Sequence, residues 1–374
     1  MAPPGLPDFK RRVFYIAAAG LLCAAGAGLL HEPPAAQAPA GFAERIAAFS
    51  EPGGYFDTDN LISNESSYLR VLPELSQNRK PGGVYIGVGP DQNFSYIAAL
   101  RPSLAFIVDI RRDNLLLHLL FKAIFELAGT RAEYLALLTG RPLSGDPAAG
   151  NPTSVQTLVA RIDQTAPSEG STAAIRSRVD AAIARSGVPL SEADRRTIDR
   201  FHRRFIGSGL DLRFESAGRP PRSHYPTYRQ LLLARDRAGQ PRNFLASEDS
   251  FQFLKRMQGS NRIVPVVGDV SGDKALAAIG HSLDAGGERV SAFYVSNVEY
   301  YLFHRDAFPR FVDNLRKLPR TEDAVLIRSL FNQYAAMASG DNLGSASTLQ
   351  PISDLLGRFE RERIRTYADL VVSR

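Results

Sequence analysis

The stretch Gly82–Asp113, GGVYIGVGPDQNFSYIAALRPSLAFIVDIRRD, decides the fold. Val84-Tyr85-Ile86 is an apolar run that enters a glycine turn, Gly87-Val88-Gly89. A short helical stretch follows, and a second apolar run, Leu104 to Val108, ends on Asp109. The order strand, glycine loop, helix, strand, acid is that of a βαβ unit. Asp109 lies 22 positions beyond Gly87, close to the spacing of about 20 at which an acid meets a ribose hydroxyl. Glycine has no side chain, so the loop brings bare backbone close to a ligand. The candidate cofactor-binding residues here are Gly87, Gly89, Asp91 and Asn93 after the first strand, with Asp109 and Ile110 at the end of the second. The pattern points to a nucleoside-containing ligand and names no reaction.

The same alternation continues downstream. Asn114 to Ala128 is apolar nearly all round, as expected of a helix buried against a sheet, and His118 within it reads as a core histidine. Gly129 ends that helix, and a shorter one runs to Leu138. Strand signals resume at Arg262–Val267, followed by Gly268-Asp269 and a helix over Lys274–Leu283. Val290–Val295 is the next strand, leading into Ser296-Asn297-Val298-Glu299; a helix from about Asp306 to Leu318 precedes a strand at Ala324–Arg328. Strands separated by helices predict an α/β fold with a doubly wound, mainly parallel sheet covered on both faces. Ligands then lie at the carboxyl ends of the strands. Gly268 and Asp269 join the cofactor candidates on that ground, and Asn297 and Glu299 become candidate catalytic residues. Each acid has a plainer reading as well: Asp109 as cap of the following helix, Asp269 as cap of a turn before Gly272, and Asn297 or Glu299 as caps of a helix at Tyr300.

Upstream, Asp59 or Asn60 can cap a helix running to about Ser76. The polar run Asp59–Glu65 is alternatively a lid over the crevice, with Asn64 or Glu65 bonding the ligand. Phe42–Phe49 is a short amphipathic helix. Pro, Gly and Ser punctuation then divides residues 141–243 into helical runs near 153–165, 171–186, 191–206 and 226–237, without strand-like alternation. This is a helical insertion between the first part of the core, 41–140, and the second, 244–374. Between Arg161 and Arg242 there are 16 Arg against 9 Asp plus Glu, which accounts for the net charge of +6. No nucleic-acid motif accompanies those arginines, so the segment reads as a solvated helical surface and no nucleic-acid partner is expected. The single cysteine, Cys23, excludes an internal disulfide, and the six histidines show no metal-ligand spacing, so no metal site is expected.

Residues 1–40 read as a targeting segment. Lys10-Arg11-Arg12 precedes an uncharged stretch, Val13–Leu30, then a Pro/Ala linker containing Ala36-Gln37-Ala38. A basic flank, an apolar region and an A-x-A-like site make a signal peptide, or an uncleaved anchor that would touch the membrane. Arg11-Arg12-Val13-Phe14 is also similar to a twin-arginine signal. The expected location is exported, periplasmic or anchored in the inner membrane; a true start near Gly41 would make the protein cytoplasmic.

Asp59–Arg70 (DNLISNESSYLR), Gly83–Ile97 (GVYIGVGPDQNFSYI) and Ala292–Phe303 (AFYVSNVEYYLF) together resemble a bacterial group within the S-adenosylmethionine-dependent methyltransferase superfamily, over roughly 55–135 and 244–370. The resemblance implies a Rossmann-like core with Gly87-Val88-Gly89 as the cofactor loop. It also implies Asp109 on the ribose, Asp269 near the adenine, Asn297 at the substrate, and S-adenosylmethionine as the cofactor. The sequence departs from the superfamily pattern where an acid commonly stands two positions before the first glycine; here it is Tyr85. Asp91-Gln92 replaces the third glycine. Beside a methyltransferase acting on a small-molecule or protein substrate, two readings stay open. One is an envelope binding or structural module that keeps the fold. The other, ranked last, is a nicotinamide oxidoreductase, for which no Tyr-x-x-x-Lys pair is evident.

Overall fold

Val84–Gly87 (β1) is buried throughout, and Leu104–Asp109 (β2) is buried except at its two ends. Both are fully covered strands, which is why they read as apolar runs instead of alternating ones. The computed structural model describes residues 41–58, 60–77, 81–143, 154–216, 225–339, 344–361 and 364–371. The expected signal segment and its linker lie outside the described residues, as does Asp59. Among the described residues no helix is long and apolar enough to cross a membrane.

The remaining strands are Ile263–Val267 (β3), Val290–Ser296 (β4), Arg320–Phe331 (β5) and Ser345–Pro351 (β6). They form one sheet in the order β3-β2-β1-β4-β5-β6. Every pairing is parallel except β5 with β6. The protein is therefore a doubly wound α/β fold with a mainly parallel sheet. The order reverses between β1 and β4, and a crevice forms beyond the carboxyl ends of the strands at such a reversal.

The helices before the insertion are Phe42–Phe49 (α1), Leu72–Ser76 (α2), Gln92–Leu100 (α3), Arg112–Leu127 (α4) and Arg131–Thr139 (α5). The insertion comprises Val155–Asp163 (α6), Glu169–Arg185 (α7) and Glu192–Ser208 (α8). Ser191 caps α8, its hydroxyl accepting from Asp194 N while the Asp194 carboxylate accepts from Ser191 N, so the expected capping box is present. α7 and α8 pack on α4, and Asp194 also accepts two bonds from Arg112, at 2.8 and 2.9 Å. Many of the insertion's arginines are engaged by acids on the surface, among them Arg203 with Asp199 and Arg204 with Glu215.

After the insertion come Tyr228–Leu233 (α9), Glu248–Gly259 (α10), Ala275–Gly286 (α11), Val298–His304 (α12), Phe308–Lys317 (α13), Gln333–Ser339 (α14), Ile352–Arg361 (α15) and Tyr367–Val371 (α16). The helical run expected near 226–237 is present as the shorter α9, Tyr228–Leu233. The segment from α9 to α10 packs into the core: Tyr228 bonds Asp91, and Phe244 meets Phe94 at 5.4 Å. His118 is a core histidine, edge-on to Phe94 at 5.7 Å.

One sequence expectation fails, and one strand escapes the sequence reading, for identifiable reasons. The helix expected from about residue 60 to Ser76 is confined to α2, after a turn at 66–71. Ahead of it Glu65 and Ser67 are buried, bonding hydroxyls of β4, β5 and β6, and these long-range bonds hold the backbone out of a helix. β6 has no apolar alternation because Ser345 and Ser347 turn inward to bond the Ser67 hydroxyl.

Candidate functional site

A crevice of about 530 Å³ opens where the strand ends converge, within the range of roughly 300–1,000 Å³ usual for small-molecule sites. Its walls take Val88 and Gly89 after β1, Asp109 and Ile110 at β2, Gly268 and Asp269 after β3, and Ser296 and Asn297 at β4. Phe331 and Asn332 contribute from the end of β5. Six of the ten residues singled out from sequence thus face one cavity: Gly89, Asp109, Ile110, Gly268, Asp269 and Asn297.

The glycine loop is held from beneath. Asn93 is fully buried; its Nδ2 donates to the carbonyls of Val88 (2.9 Å) and Pro90 (2.7 Å), and its Oδ1 accepts from the Tyr85 hydroxyl at 2.8 Å. A Cβ on Gly87 would collide with Asn93 and meet the Tyr85 hydroxyl at 2.7 Å. Gly87 is therefore required by packing under the loop and lies outside the crevice wall. Gly89 lies in the wall with φ +81°, a left-handed conformation suited to glycine. Its carbonyl accepts a 2.9 Å bond from His118 Nε2, which assigns the proton to that nitrogen. Burial lowers the His118 pKa to about 4, so the ring is neutral near pH 7.

Asp91 turns inward, away from any ligand. Its carboxylate accepts from the Tyr228 hydroxyl at 2.8 Å, and burial pushes its pKa up to about 7. Asp91 and Asn93 are therefore supports of the loop, and its neighbour Gln92 is the one that faces the crevice. Gln92 Nε2 donates to the Tyr294 hydroxyl at 3.0 Å, whereas its buried Oε1 has no hydrogen-bond partner among the described residues.

Asp109 faces the crevice while anchoring Arg111. It accepts from Arg111 N (2.9 Å), Nε (3.1 Å) and Nη2 (2.9 Å), and Arg111 Nη1 donates onward to the Thr58 carbonyl at 3.1 Å. It is not the cap of α4: the N-cap position is Arg111, with no side-chain cap bond. The carboxylate has further lone pairs available towards the cavity. Ile110 O accepts from Gly54 N at 2.7 Å, so the segment before β1 closes over this side. Asp269 does cap its turn, Oδ1 accepting from Ser271 N (2.8 Å) and Oγ (2.7 Å), and lines the cavity as well. Gly268 N donates to the Asp109 carbonyl at 2.8 Å and ties the second and third strand ends together.

At β4 the two candidates separate. Asn297 lines the crevice, whereas Glu299 is fully buried behind it in an ion pair with Arg328, whose Nη2 donates at 3.0 Å. In its place the structure brings in Glu65, which sequence reading placed only in a lid. Glu65 is 1% exposed at the β1/β4 reversal; its Oε1 accepts from the hydroxyls of Tyr294 (2.6 Å) and Ser296, and its Oε2 from Ser329. Burial raises its pKa, against those three bonds. Asn60, Ser63 and Asn64 line the crevice beside it, so the run after Asp59 does cover one wall.

The half of the crevice towards β5 is aromatic. Phe56 meets Tyr301 edge-on at 4.8 Å, and Tyr367 meets Tyr300 at 5.5 Å and Tyr334 at 5.0 Å. The cavity so combines a glycine loop and acids at one end with edge-on aromatic rings at the other. Among the described residues no group of three His, Cys, Asp or Glu side chains could hold a metal ion.

The chain belongs to the family described as Domain of unknown function (DUF7790), whose model matches residues 61–142 and 213–373. The interval left out contains α6–α8, while Glu65, Gly89, Gln92, Asp109, Asp269 and Asn297 all fall inside the matched residues. Among curated proteins, none matches this sequence.

Proposed function

We propose that this member of the DUF7790 family binds a nucleoside-containing cofactor, S-adenosylmethionine, in the crevice and acts as a methyltransferase on a small-molecule or protein substrate. The observation that carries the proposal is the meeting of Gly89, Asp109, Asp269 and Asn297, from four strand ends, around one cavity. The residues present fit such a group. Gly89 leaves its backbone bare, Asp109 stands one strand over for a ribose hydroxyl, and Asp269 borders the far end for the base. Among the described residues two buried polar atoms in the wall, Gln92 Oε1 and Thr58 Oγ1, have no hydrogen-bond partner, as expected where a ligand supplies one.

When bound, the cofactor would supply an electrophilic methyl group to an acceptor's lone pair, the sulfur–methyl bond breaking as the neutral thioether leaves. The work of the chain is then positioning. Asp109 and the glycine loop orient the nucleoside, Asn297 holds the acceptor by its amide, and the rings near Tyr300 and Tyr301 exclude water. A base is needed only where the acceptor must lose a proton.

Isothermal titration with S-adenosylmethionine and its demethylated product is the test. Saturable binding by both is expected, weakened at least tenfold in Asp109→Ala. Absence of heat at millimolar ligand would sink the proposal. One observation favours a second reading, a non-catalytic binding module: Asp91 is committed to Tyr228 and both oxygens of Asp109 to Arg111. On that reading Asp109→Ala complements a deletion strain fully.

A further inference from the structure

Glu65 lines the crevice as a buried carboxylate. Among the described residues its partners are all hydroxyls: Tyr294 and Ser296 on Oε1, Ser329 on Oε2. The nearby guanidinium of β5, Arg328, is committed to Glu299. A buried carboxylate without a cation is costly, because the desolvation of its charge is not repaid.

Next to it stands a second, independent vacancy for a donor. Gln92 is 94% buried and spends its amide nitrogen on the Tyr294 hydroxyl, which in turn donates to Glu65. That chain of bonds fixes the direction of the amide, so Oε1 is left as an acceptor with no donor among the described residues. Both residues line the crevice beside Gly89. A carboxylate and an amide oxygen, joined through one tyrosine and facing one space, match a group that carries several N–H donors and a positive charge.

We propose that Glu65 and Gln92 Oε1 form a recognition site for a primary ammonium group on the ligand that enters the crevice. The inference rests on the proposed function for the location of the ligand, and extends it to the ligand's chemistry. The ammonium belongs either to the aminoacyl arm of the cofactor or to a free amine. On the first source, Glu65 supplies from the segment before β1 the acid that Tyr85 does not supply at β1 itself.

The two sources separate in titrations of wild type, Glu65→Gln and Gln92→Met, each checked for native circular dichroism. Three probes suffice: S-adenosylhomocysteine, 5′-methylthioadenosine, which keeps nucleoside and thioether without the amino group, and n-butylammonium with n-butanol as its neutral control. The expected result is a wild-type preference of at least tenfold for S-adenosylhomocysteine over 5′-methylthioadenosine. Glu65→Gln should reduce it below threefold without weakening 5′-methylthioadenosine, and Gln92→Met should reduce it in the same direction. Binding of n-butylammonium over n-butanol that vanishes in Glu65→Gln, with no nucleoside bound, would keep the ammonium site and reject the nucleoside reading. A preference for S-adenosylhomocysteine that survives both substitutions would overturn the ammonium site and leave the nucleoside reading standing. So would equal affinity for the two nucleosides in wild type with no Glu65-dependent binding of n-butylammonium. Failure of all three probes to bind would overturn both.

Discussion

Asp91 and His118 sit on either side of the glycine loop and respond to protons in opposite senses. Asp91 has a folded pKa of about 7 against an ordinary 3.8, because burial disfavours its charge. The folded protein therefore holds that proton more tightly than the unfolded chain. The burial of Asp91 costs nothing below about pH 4 and costs increasingly more as pH rises towards 7, up to about 4 kcal/mol. His118 is depressed to about 4 from 6.5, again by burial. Its contribution is complete above pH 6.5 and is lost as pH falls towards 4, because the unfolded chain then takes the proton first. The two slopes oppose each other across the same window. Relative to wild type, Asp91→Asn should gain stability as pH rises from 4 to 7, and His118→Gln should gain stability as pH falls from 6.5 to 4. Urea denaturation at three pH values decides this; variants whose curves stay parallel to wild type would refute the account of both residues.

At the scale of elements, the glycine loop separates two glycines that look equivalent in sequence. A methyl on Gly87 strikes Asn93 and Tyr85, both locked in buried bonds. Gly87→Ala should thus destabilise by about 1–3 kcal/mol or more through overpacking. At Gly89 the same methyl would meet only Asn60 and Gln92, at 3.4 and 3.5 Å, so the main cost is the positive φ, about 1–2 kcal/mol. Gly89→Ala should then fold and lose ligand affinity, whereas Gly87→Ala should show its defect in thermal melting without ligand. Equal melting temperatures for the two variants would contradict this division.

The same scale explains what could be read from sequence. β1 to β5 were legible because buried parallel strands must be continuous apolar runs, and the corner from Gly87 to Asp109 carries its spacing in the chain. β6 was not legible, since its inward serines satisfy hydroxyls of Ser66 and Ser67 some 280 positions away. Nothing local marks Gln92 as facing the cavity while Asp91 and Asn93 turn away; only the packing of α3 against Tyr228 and Tyr85 sorts them. Glu65 and Glu299 show the same limit. Each is an acid in a polar run, and only the distant partners, Tyr294, Ser296 and Ser329 for one and Arg328 for the other, decide which faces the crevice.

At the scale of the molecule, the sheet order puts its reversal between β1 and β4, and the crevice opens there with Glu65 at its floor. The insertion α6–α8 packs on α4 and lines none of this cavity, in keeping with its lying outside the matched family residues. The central claim is that strand ends brought together by this topology form one nucleoside site. A crystal structure of the protein soaked with S-adenosylhomocysteine tests it most directly. The account predicts the ribose within hydrogen-bond distance of Asp109, the base beside Asp269, and the thioether against Gly89. A ligand bound elsewhere, or a crevice that stays empty at saturating concentration, would contradict it.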